Sequence, residues 1–141
     1  MDQFSAATQD RVTVMRDFAC FQAAPEDDFG EVVSMFRYAA TLVLDESLSG
    51  AVCTIEDTGT SFGSSLYWGV RVLSEAWTGS EKRLALVCAV PGSINERLFE
   101  QAVGDNWDAR ARVFRELREA VAWVTGRPAE LMLPEREPQI R

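Results

Sequence analysis

The sequence predicts a single α/β domain, a mixed and mostly parallel sheet of about four to five strands with four helices. Three observations lead there. β-prone runs alternate with segments of helical periodicity, an order that implies βαβ crossovers. The run Leu84-Ala85-Leu86-Val87-Cys88-Ala89-Val90 is apolar throughout, as a strand covered on both faces must be. The length of 141 residues suits one core, and 47% hydrophobic with 26% charged residues is an ordinary globular composition.

Residues 1–10 lack periodicity and read as a loose start. Arg11 to Ala23 alternates Val12, Val14, Phe18, Cys20 and Phe21 with other residues, which predicts one or two short strands turning near Arg16-Asp17. Pro25-Glu26-Asp27-Asp28 then suits a helix start, proline early and acids at the positive helix end. Phe29, Val32, Val33, Phe36, Ala40 and Val43 carry that helix over about 26–46, and Ser49-Gly50 breaks the pattern. Ala51 to Ile55 is a short buried strand, and Glu56 to Ser65 is a loop rich in Gly, Ser and Thr.

Leu66, Val70, Leu73 and Trp77 define a second helix over about 64–78, ended by Gly79-Ser80. After the apolar strand, Pro91-Gly92-Ser93 makes a turn with Ser93 as N-cap. The third helix holds Ile94, Leu98, Phe99, Ala102 and Val103, with Gly104 as its stop. Ala111-Val113-Phe114 reads as a short strand, and Leu117, Val121 and Val124 as a last helix closed by Gly126. The domain therefore spans 1–126, followed by a tail over 127–141 containing Pro128, Pro134 and Pro138.

Charge and composition restrict the function. Fourteen basic and twenty-two acidic residues leave a net −8, which disfavours nucleic acid and anionic membrane surfaces. No apolar stretch is long enough to insert in a membrane, and Met1-Asp2-Gln3 does not open a signal peptide, so the cytoplasm is the expected compartment. Cys20, Cys53 and Cys88 form no CxxC pair and sit among apolar neighbours, as buried thiols of a reducing compartment do. Histidine is absent, which removes the commonest general base and the favourite metal ligand. No metal and no cofactor is expected, and catalysis is not the expected role.

The segment Glu56 to Ser65 is where chemistry would concentrate. Glu56 and Asp57 follow a strand of an open sheet, where loops line functional clefts, and they also suit a solvated loop. The hydroxyl-rich stretch joins a strand to a helix amino terminus, a setting that favours anions. It lacks the GxxxxGK[ST] pattern and has no nearby lysine, Lys82 being the only one in the chain, which leaves a small nucleotide binder or enzyme as the weakest reading. A serine here could instead carry a phosphate, whose two negative charges the helix end stabilises. An ordinary N-cap also accounts for Ser64 or Ser65.

Two segments, Ser61-Phe62-Gly63-Ser64-Ser65-Leu66 and Leu86 to Phe99, together with the element order over about 11–126, resemble STAS domains. This family is shared by bacterial anti-sigma factor antagonists and the cytoplasmic parts of sulfate transporters. The first segment looks like the family's turn with its phosphorylatable serine. The second is similar to the strand, turn and helix that follow. The chain departs from the pattern at Gly63, where the family has an acid, and Leu66-Tyr67-Trp68 intervene before Gly69.

The resemblance implies a regulatory module that docks on an anti-sigma factor or serine-kinase-like protein and is switched by phosphorylation of Ser64 or Ser65, with homodimerisation left open. Asp57, Thr58, Ser61, Phe62, Gly63, Leu66, Tyr67 and Trp68 form the partner surface it implies. A constitutive scaffold subunit, of a transporter or a multiprotein assembly, without phosphorylation is the alternative that Gly63 favours.

Overall fold

Ten elements follow in order: α1 (Ala6–Arg11), β1 (Val12–Val14), β2 (Phe18–Ala23), α2 (Phe29–Asp45), β3 (Gly50–Ile55), α3 (Ser65–Ala76), β4 (Arg83–Val87), α4 (Ile94–Asn106), β5 (Ala111–Phe114) and α5 (Leu117–Thr125). The computed structural model describes residues 4–56, 62, 64–106 and 110–127. The five strands lie side by side in chain order. β1 runs antiparallel to β2, and β2 to β5 are parallel. The α/β class and the mixed, mostly parallel sheet are thus as the sequence predicts.

Right-handed crossovers that always step the same way put every connecting helix on one face. There α2 packs on α3, and α3 on α4. α5 follows the last strand and folds back over the opposite face, against β3 and β4. Alternation along the strands then feeds two cores. Ala51, Cys53, Ile55, Leu84 and Leu86 enter the larger core beneath α2, α3 and α4. Val52, Ala85 and Val87 enter the smaller one with Ala120, Val121 and Val124 of α5. β3 and β4 have no solvated face, which is why their sequences carry almost no polar residue.

Two glycines mark close approaches. A Cβ at Gly50 would collide with the Arg83 carbonyl across the β3–β4 ladder. One at Gly69 would enter the ring of Phe36, so this glycine sets how near α3 lies to α2. The same two helices are joined where the buried indole Nε1–H of Trp77 donates to the Ala40 carbonyl, 3.1 Å away.

Several expected boundaries shift for identifiable reasons. α2 starts at Phe29, because Asp28 is the N-cap of a capping box: Glu31 N–H donates to Asp28 Oδ1 at 2.8 Å, and Asp28 N–H donates to Glu31 Oε1 at 3.2 Å. Asp27, expected inside the helix, instead accepts a bidentate pair from Arg11 at 3.0 and 2.7 Å and the Ala24 N–H at 2.8 Å. That ion pair holds the loop after β2 against α1, a fifth helix where a loose start was expected. Ser5 caps it, accepting the Thr8 N–H.

The strand expected over Leu84 to Val90 ends at Val87, and Val90 is exposed. α4 continues through Gly104 to Asn106, so this glycine does not stop it. Its buried face also differs from the expected stripe: Asn95, Glu96, Phe99 and Ala102 are buried, while Ile94 is exposed and Leu98 only half-buried. Gly126 caps α5 in the left-handed region (φ 74°) as expected, and Pro128 to Arg141 lie outside the described residues. No helix among the described residues is long and apolar enough to cross a membrane.

Candidate functional site

The turn between β3 and α3 sits at the carboxyl edge of the parallel strands, beside the first turn of α4. Asp57, Thr58, Ser61 and Gly63 lie outside the described residues. Phe62 is half-buried, its ring against the larger core. Both polar groups of its backbone are held. Its N–H donates to Oδ1 of Asn95 on α4 at 3.1 Å, and its carbonyl accepts the Ser65 hydroxyl at 2.8 Å. Asn95 is fully buried, so the bond answers a polar group that would otherwise be costly to bury.

This anchoring separates the two serines. Ser65, the first residue of α3, is 4% exposed and its hydroxyl is committed to Phe62. Ser64 occupies the N-cap position, is exposed, and makes no side-chain cap bond. One residue of helix is about 100° of rotation, enough to bury one hydroxyl and present the other. Leu66, expected in the partner surface, is fully buried and belongs to the core stripe with Val70 and Leu73. Tyr67 is half-buried against that core. Trp68 is 40% exposed, meets Tyr67 edge-on at 5.7 Å, and carries the Arg71 guanidinium 5.0 Å from its ring centre.

The surface around this turn contains apolar residues that periodicity had assigned to the core. Phe29, Ile94 and Leu117, each about half exposed, are the first residues of α2, α4 and α5, and Val90 follows β4. All four lie toward the carboxyl ends of the parallel strands. A residue at the first helical position after a polar cap projects past the sheet end, a signal present in Asp28-Phe29 and Ser93-Ile94. With Trp68 these make five of the eight large exposed apolar residues among those described, the other three, Val14, Met15 and Leu44, lying at the opposite end; such a grouping suits an interaction surface.

The neighbouring turn is fixed by Glu96. Its carboxylate accepts the Gly92 N–H at 2.7 Å and the Arg115 Nε–H at 3.2 Å, while Ser93 Oγ caps α4 by accepting the Glu96 N–H at 3.1 Å. The Gly92 bond, with Arg115 behind it, holds this carboxyl below the usual glutamate range. Burial pushes the Cys53 thiol well up, so it is not a ready nucleophile. Glu56 is exposed and gives its N–H to the Ala23 carbonyl. Among the described residues the turn thus offers one free hydroxyl, an exposed indole and a backbone anchored at Phe62.

A shallow cavity of about 310 Å³ lies at the opposite end of the sheet, between Ser49, Lys82, Arg83 and the end of α5. No protein-family model, curated protein or solved structure matches this chain.

Proposed function

We propose that this protein is a regulatory protein-binding module of the anti-sigma factor antagonist kind, docking through the carboxyl edge of its sheet and released by phosphorylation of Ser64. The observation that carries the reading is the separation of the serines: Ser64 is exposed at the start of α3 close to the exposed Trp68, and Ser65 is buried and bonded. A kinase can reach only the first without unfolding the turn. The hydrogen bonds of the Phe62 N–H to Asn95 and of its carbonyl to the Ser65 hydroxyl anchor the chain just ahead of α3. A phosphate on Ser64 gains from the helix amino terminus, so the modified protein stays folded. The same two charges beside an indole that must be desolvated on docking oppose association. The reading also takes support from the STAS-like order of elements and the Phe62 to Leu66 motif.

Incubation with ATP and serine kinases from the same genome, followed by phosphopeptide mapping, tests it. Modification at Ser64 and none at Ser65 is the expected result. Modification at neither serine removes the switch and leaves the constitutive scaffold, the reading that Gly63 in place of an acid favours.

A further inference from the structure

α3 carries four polar or aromatic side chains on one stripe. A helix turns about 100° per residue, so Ser64, Trp68, Arg71 and Glu75 fall within a strip about 60° wide. Ser64, although the N-cap, is already in the right-handed helical region (φ −86°, ψ −3°), and its carbonyl accepts the Trp68 N–H at 3.0 Å. It therefore shares the helical phase of the stripe. Ser64 and Trp68 are exposed, and the side chains of Arg71 and Glu75 are 42% and 68% exposed. The indole stands between the serine and the arginine. The Arg71 guanidinium lies 5.0 Å from the Trp68 ring centre, and its Nε–H donates to Glu75 Oε2 at 3.3 Å.

Side chains of a helix lean toward its start, which aims Glu75 at Arg71, and Arg71 over Trp68 at Ser64. A single contact between exposed charges contributes little and is screened by salt. A phosphate on Ser64 brings about two negative charges and three acceptor oxygens against the one charge of Glu75. The guanidinium fork also matches a phosphate in two bonds. Ser64 and Arg71 are seven residues apart, about 10.5 Å along the axis, a gap that a phosphoserine and an arginine close from either side of the indole. On the reading of Ser64 as the switch, we infer that Arg71 is the internal receptor of its phosphate: the guanidinium exchanges Glu75 for the phosphate and is clamped across the Trp68 ring, hiding the indole on which docking depends. The modification thus acts by covering a contact as well as by adding charge.

The test uses the full chain with phosphoserine built in at position 64 during translation, beside the unmodified chain. Each is made as wild type and as Arg71→Gln, with the fold checked by the amide spectrum. Both phosphorylated forms keep the same helix start, so a difference between them reports Arg71. In phosphorus NMR the wild-type phosphate should complete its second ionisation at a pH lower by about 0.5 than in Arg71→Gln, and the difference should shrink at high salt. A neutral, soluble paramagnetic agent should broaden the Trp68 indole N–H less in the phosphorylated wild type than in the unmodified chain, and equally in the two Arg71→Gln forms. Two results overturn the inference: the same phosphate titration in wild type and Arg71→Gln, or an indole equally accessible with and without the phosphate. Because the phosphate is installed, the absence of a cellular kinase for Ser64 removes the switch without touching this result. Failure here, in turn, leaves the switch standing on charge alone.

Discussion

Gly69 and Asn95 show how single residues set the geometry on which the site depends. Gly69 lets α3 close on the Phe36 ring, and any side chain there must push the ring or the helix away. Gly69→Ala should therefore destabilise the fold by about 1–3 kcal/mol, read as a lower urea midpoint with little change in slope. Asn95 acts across 33 positions of sequence, from α4 to the Phe62 N–H. Asn95→Leu matches its volume approximately and leaves that N–H without its acceptor, a cost of about 1–3 kcal/mol. Hydrogen exchange at the Phe62 amide should rise by more than that at core amides such as Leu86.

At the scale of elements, helix ends and their anchors decide where the chain turns. The Asp28–Glu31 capping box starts α2, and Asp28→Ala should cost about 1 kcal/mol in thermal or urea unfolding. Asp27 and Glu96 anchor two of the loops at the carboxyl edge, and both carboxyls lie below their ordinary values. For Asp27 the Arg11 bonds are the main cause, and for Glu96 the Gly92 N–H. A carboxyl with a lowered folded-state pKa is protonated more readily in the unfolded chain. Its contribution is then complete at neutral pH and lost as pH falls from about 4 through the folded-state values. Urea midpoints should decline over that acid range, and Asp27→Asn with Glu96→Gln should flatten the decline.

These elements also show which features can be read from sequence alone. β4 was legible because burial on both faces leaves an unbroken apolar run, and α3 because Leu66, Val70, Leu73 and Trp77 keep strict helical spacing. The buried face of α4 was not, since its key residue is a polar Asn95 whose partner is remote in the chain. Phe29, Ile94 and Leu117 misled for a complementary reason: their spacing fits a buried stripe, and only their place at the helix starts exposes them. Which of Ser64 and Ser65 is exposed turned on a single residue of helical phase, finer than periodicity resolves. Asp57, Thr58, Ser61 and Gly63 lie outside the described residues.

The whole molecule has two ends and two edges with different characters. At the carboxyl end the helix starts of α2 to α5 converge, with exposed apolar residues and the Ser64 hydroxyl among them. At the β5 edge the charge is locally positive, five arginines against Glu116 and Glu119 over 110–127, although the chain is acidic. Docking at the first of these can be read by quantitative capture from source-cell extract, with the wild-type protein and its Ser64→Ala, Ser64→Asp and Trp68→Ala variants as baits. The expected result is a protein retained by wild type and Ser64→Ala but depleted at least tenfold on Ser64→Asp and Trp68→Ala, about 1.4 kcal/mol or more of lost binding. Equal retention on all four folded baits would contradict it.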